Sequence, residues 1–128
     1  MQLSHERPDY AYVLRGADGR SARVNERVLE RSFALSPDRL LEDWDAPATA
    51  GELAAAHLQP LLALEPELVV LGTGGRQAFP PAAALAACLT RGVGIEVMDN
   101  AAAARTYNVL AGEGRRVVVA LLLGPGAG

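Results

Sequence analysis

Residues 67–76, ELVVLGTGGR, decide the architecture: an apolar run breaks into Gly72-Thr73-Gly74-Gly75-Arg76, and Pro80-Pro81 then open an alanine-rich stretch. That order reads as a buried strand, a tight loop and a helix start, where backbone N–H groups of an α/β protein can gather an anion. Downstream the alternation continues, with strand 68–71, helix 81–91, strand 95–98, helix 100–113 and strand 116–123. Strand and helix in alternation ask for parallel strands joined by helical crossovers, and the unbroken VVVALLL of 117–123 suits a strand covered on both faces. The C-terminal half is therefore expected to be a β-α-β-α-β unit.

Upstream the texture differs. Runs at 10–15 and 20–25 flank Gly16-Ala17-Asp18-Gly19, which predicts a hairpin whose turn uses the low cost of positive φ at Asp-Gly. A third strand is predicted over 28–35, with Leu29, Arg31, Phe33 and Leu35 on the more apolar side, ended by Ser36-Pro37-Asp38. Residues 39–44 fit a short strand or an edge segment. Thr49 followed by Glu52 matches a capping box and predicts a helix over 51–64, in which Pro60 should cause an end or a kink. The expected fold class is α/β. Residues 1–128 are expected to form a single domain, with 1–9 and 124–128 expected to be flexible, whose mixed central sheet combines N-terminal antiparallel strands with the C-terminal unit, helices flanking the sheet.

A chain of 128 residues, half of them apolar, can bury a core without disulfides. A net charge of −3 argues against a nucleic-acid partner, which calls for a clustered basic excess. All twelve basic side chains are arginine, a pattern that fits a coding bias. One cysteine allows no internal disulfide and fits a reducing compartment, so the expected location is cytoplasmic. The N-terminal MQLSHERPDY lacks the apolar centre of a signal peptide and 117–123 is too short to span a bilayer, so no membrane insertion is expected.

Two polar clusters could carry chemistry. In an open parallel sheet ligands gather beyond the carboxyl ends of the strands, where Gly72, Thr73, Gly74, Gly75 and Arg76 and, on the next strand, Asp99 and Asn100 fall. If those strands are neighbours, Arg76 offers a positive fork, the glycine amides offer donors, and Asp99 or Asn100 caps the next helix or orients a small anion. The alternative is a glycine-rich structural turn. The loop matches neither the phosphate loop nor the dinucleotide G-x-G-x-x-G. The second cluster, Arg105, Tyr107 and Asn108, would line a pocket or an interface; the alternative is a buried Tyr107 with a satisfied hydroxyl and Asn108 bonded to a neighbouring loop. His5 and His57 stand without a second ligand at metal spacing, so no metal or other cofactor is expected. Cys88 among alanines and leucines reads as core, and no hydrolase or kinase signature is present, so no catalytic residue is assigned.

The stretches LVVLGTGGRQAFP (68–80), ALEPELVVLGTG (63–74) and GIEVMDNAAAARTYNVLAGEGRRVVVALL (94–122) carry a resemblance. The chain resembles a small domain-of-unknown-function family that includes bacterial and archaeal stand-alone proteins, the mitochondrial complex I assembly factor 3 and a human adipogenesis-associated relative. The resemblance runs from about Tyr10 to Leu123 and implies a single α/β domain with no established catalytic residue or cofactor. From the mitochondrial relative it implies protein–protein contact during respiratory-complex assembly. The chain departs from that relative in lacking a basic transit-like start, and from the family in carrying Asn100 where Thr often follows the aspartate. Two functions follow as expectations: a non-enzymatic binding or assembly protein of a bacterial cytoplasm, with an unknown protein partner, or a small-molecule or anion binder, an unrecognised enzyme included, using the Gly72–Arg76 loop.

Overall fold

A computed structural model describes residues 10–125, so the expectation of flexibility at 1–9 and 126–128 falls outside the described residues. Gly124, expected to be loose, donates its N–H to Gly19 O at 3.0 Å. The strands are β1 (Leu14–Ala17), β2 (Ala22–Val24), β3 (Arg27–Leu29), β4 (Phe33–Leu35), β5 (Leu40–Leu41), β6 (Leu68–Gly72), β7 (Gly94–Met98) and β8 (Val117–Leu121). The helices are α1 (Ala55–Leu62), α2 (Ala82–Leu89) and α3 (Asn100–Gly112). The fold is mixed α/β, built on a five-stranded sheet of order β5-β4-β8-β6-β7.

In that sheet β7, β6 and β8 run parallel, and β4 pairs antiparallel with both β8 and β5. Apolar residues fill β8 without alternation because each face has a cover. Val117, Val119 and Leu121 face α3 and the N-terminal strands, whereas Val118 and Ala120 face α1 and α2. Each such buried Val or Leu contributes about 1.5–3 kcal/mol, so the doubly covered strand is the energetic centre of the molecule. The crossovers β6-α2-β7 and β7-α3-β8 make β6 the strand on either side of which the chain turns in opposite directions.

The N-terminal half departs from expectation in its division into sheets. β1, β2 and β3 form a separate antiparallel sheet packed on α3, while β4 and β5 join the parallel strands. The single strand expected over 28–35 is therefore two, broken at Glu30–Ser32. The cause is burial: β3 covers only one face, with Val28 exposed and Leu29 buried, whereas Phe33, Ala34 and Leu35 are buried on both faces. One straight strand cannot serve both layers, and the chain crosses between them through exposed Glu30 and Arg31.

The hairpin turn lies at Asp18 as expected, by another device. Gly19 is not among the positive-φ glycines; instead Asp18 Oδ1 accepts the N–H groups of Arg20 (2.8 Å) and Ser21 (2.9 Å). Near the predicted helix 51–64, Glu52 does accept from the Thr49 N–H at 3.2 Å, but on a 3-10 turn (Ala50–Glu52). Leu53 then turns extended to bury its side chain, and α1 begins afresh with His57 Nδ1 accepting the Ala54 N–H at 2.9 Å. Pro60 lies inside α1 without ending it at once; the helix ends at Leu62, and Glu65 beyond it takes φ 58°.

Candidate functional site

Parallel pairing puts Gly72 opposite Met98, so the loops after β6 and β7 open on one rim of the sheet. They are joined there. The Thr73 N–H donates to Met98 O (3.0 Å) and the Asn100 N–H to Gly74 O (2.8 Å). Thr73, 4 % exposed, closes its own loop: its Oγ1 accepts the Ala78 N–H at 3.0 Å and lies 2.8 Å from Arg76 O and 3.3 Å from Met98 O, carbonyls that share its one hydrogen.

Asn100 occupies the centre of this rim. Its side chain is fully buried, with Oδ1 accepting the Gly74 N–H (3.0 Å) and Nδ2 donating to Leu122 O and Asp18 O (both 2.8 Å). The strand end where a doubly wound sheet opens its crevice is thus bridged from β6 to β8 and to the hairpin turn by one amide. Gly72 is required beneath it, since a Cβ there would overlap both Asn100 Oδ1 and the Leu121 side chain. Gly74, at φ 112°, holds a conformation that L side chains rarely adopt. Asp99 accepts the Ala102 N–H at 2.8 Å and so caps α3.

Beyond this clamp the loop is outside. Gly75, Arg76, Gln77, Ala78 and Phe79 are exposed, Phe79 to 68 %. Gln77 Nε2 donates to Val97 O at 2.8 Å, covering part of the free edge of β7. Among the described residues Arg76 has no ion-pair partner.

The second cluster divides. Arg105 points to solvent, while Tyr107 is fully buried and donates its hydroxyl to Tyr12 O at 2.7 Å, edge-on to the Tyr10 ring with centroids 6.1 Å apart. Burial, with Tyr10 and Asp38 nearby, raises the Tyr107 pKa well above the ordinary tyrosine value. Asn108 pairs with the backbone of Leu14, accepting its N–H at 3.1 Å and donating to its carbonyl. Tyr107 and Asn108 therefore fasten β1 to α3.

Among the concavities that the sequence does not mark is a groove of about 450 Å³ at the start of β8, lined among others by Tyr10, Asp38, Leu64, Ala111 and Arg116. Its walls come from separate segments, and no local motif marks it.

The architecture defines a class: a small α/β domain with a mixed sheet, its strand-end crevice closed by its own side chains. A family model described as "Protein of unknown function (DUF498/DUF598)" matches residues 14–122, and the chain belongs to that family. An NMR structure of a Xanthomonas campestris protein is 58 % identical, with TM-score 0.81, over 97 % of this chain and 93 % of that one. The Danio rerio NADH dehydrogenase [ubiquinone] 1 alpha subcomplex assembly factor 3 is 31 % identical over 121 residues, 93 % of this chain but 65 % of its own length. A "13 kDa major membrane protein" of Francisella tularensis is 32 % identical over 83 residues, 65 % of this chain and 68 % of that one. No helix of the described residues is long and apolar enough to cross a membrane.

Proposed function

We propose that the protein is a non-enzymatic binding or assembly protein of the bacterial cytoplasm, acting through protein–protein contacts and linked to respiratory-complex assembly. The observation that carries this reading is the division of the rim into a closed base and an exposed tip. Asn100 and Thr73 fill the crevice that would receive a small substrate, and no buried side-chain N or O among the described residues lacks a partner. What remains outside is Arg76 and Phe79 on a braced loop, residue types enriched at protein interfaces. The kinship with an assembly factor points the same way. Affinity purification of the tagged protein from its native cells is expected to recover the same partner, a respiratory-complex subunit, in every replicate; recovery of background alone overturns the reading.

A second reading is a small-anion binder at the Gly72–Arg76 loop with Asp99 beside it. It is favoured by the Arg76 guanidinium, without an ion-pair partner among the described residues, next to exposed Gly75. A ligand at a hundredfold excess over its Kd would stabilise the fold by about 2.7 kcal/mol. Thermal unfolding with phosphate, nucleotides and carboxylates tests it, and a shift that persists in Arg76→Ala counts against the site.

A further inference from the structure

The α2 segment breaks the pattern of a surface helix. Its residues are apolar all round, as in a helix buried on every side. Only Ala84 and Cys88 are buried, however, and Ala82, Ala83, Ala86 and Leu89 form an exposed face, with Leu89 59 % exposed. Phe79, 68 % exposed, stands just before the helix. From Gln77 to Thr90 there is no charged residue at all, and no Asp or Glu lies between Glu67 and Glu96, in a chain whose net charge is −3. The only charges in that interval are Arg76 before the apolar face and Arg91 after it, both exposed. Arg91 is hydrogen-bonded to Gln59 at 3.4 Å, and neither arginine is ion-paired among the described residues.

We propose that this surface docks an amphipathic helix of a partner protein whose apolar strip carries carboxylates at both ends. The proposal rests on the protein-contact reading above and names the chemistry of that partner. The small side chains of α2 allow close helix approach, Phe79 and Leu89 supply anchors, and the two exposed arginines at the ends, losing water when the partner docks, select acidic flanks. The same arginines disfavour a second copy of this chain as the occupant. A two-fold axis that packs α2 on α2 brings Arg76 against Arg91 if the helices run antiparallel, and like against like if they run parallel. Pairing through the neighbouring β7 edge is disfavoured as well, since Gln77 covers Val97 O and exposed Glu96 lies mid-strand.

The test titrates the whole protein, ¹⁵N-labelled, with a synthetic helix-forming peptide that bears a leucine face and glutamates at both ends. A second peptide carries lysines in place of the glutamates. The acidic peptide is expected to shift the amides of 79–91 and to bind at least about tenfold more tightly than the lysine peptide, as desolvated charge pairs require. Arg76→Ala/Arg91→Ala should remove that preference. Leu89→Glu, at an exposed position, should remove binding while circular dichroism stays unchanged. Equal affinity for the two peptides, shifts confined to other elements, self-association through Leu89 in sedimentation, or adsorption to phosphatidylglycerol vesicles in preference to the peptide each overturns the proposal. In the affinity purification, partners that persist in Phe79→Glu/Leu89→Glu refute this surface and leave the protein-contact reading standing. Background from the wild-type chain refutes that reading itself.

Discussion

A single amide at Asn100 holds three segments together, so its removal is expected to act on stability. Asn100→Ala leaves the Gly74 N–H and the Leu122 and Asp18 carbonyls without their partner, and one buried unsatisfied group costs about 1–3 kcal/mol. A loss of about 3 kcal/mol is expected in urea unfolding. Gly72→Ala, which drives a methyl into the same contact, should cost about 1–3 kcal/mol by overpacking. Exposed Arg76→Ala should stay within about 0.5 kcal/mol of wild type. Tyr107 gives a pH test. Its folded pKa is raised by burial, so the folded state holds its proton longer and the linked stability is complete below the unfolded value of 10.0. Above pH 10 stability falls by up to about 1.4 kcal/mol per pH unit from this group, and Tyr107→Phe should flatten the alkaline limb of the unfolding curve. The residues of this site were legible in the sequence as polar and glycine positions at strand ends. Their use was not, because Asn100 reaches Asp18 across 82 positions of chain and no local pattern encodes that pairing.

Among the elements, those with strong local signals were readable: the strand at 68–72, both later helices and β8 lie where the alternation of texture puts them. The misreadings lie where two layers compete for one segment. The break between β3 and β4 depends on one-sided against two-sided burial, and the separation of the 3-10 turn from α1 depends on Leu53 reaching the core. Both are decided by packing, which periodicity alone does not report. Pro60 gives an element-level prediction. It removes an N–H from the interior of α1 on an exposed position, a defect worth about 3 kcal/mol in an isolated helix and partly offset by the restricted unfolded chain. Pro60→Ala should raise the melting temperature. Glu67 ties the starts of β6 and β8 by accepting the Arg116 N–H at 3.0 Å and the Arg115 side chain at 3.1 Å. These bonds lower its pKa, so their contribution is present above the unfolded value of 4.5 and is lost as the pH falls; Glu67→Gln should soften the acid limb of the unfolding curve.

At the scale of the whole molecule, two apolar layers enclose one sheet, and strands β1, β2 and β3 act as part of a cover and not as strands of that sheet, whereas β4 and β5 belong to it. The mixed α/β class follows from the alternation after Glu67, whereas the second sheet follows from Tyr107 and Asn108 gripping β1, a long-range event. The order β5-β4-β8-β6-β7 also places the last described strand at the middle of the five. While the chain emerges from a ribosome, β4 and β6 therefore have no shared neighbour, and the two halves of the sheet stay apart until Leu121 has left the exit tunnel. Nascent molecules wait with apolar edges uncovered until β8 is added, and a stop codon anywhere before Val117 should yield only a substrate for chaperones and proteases.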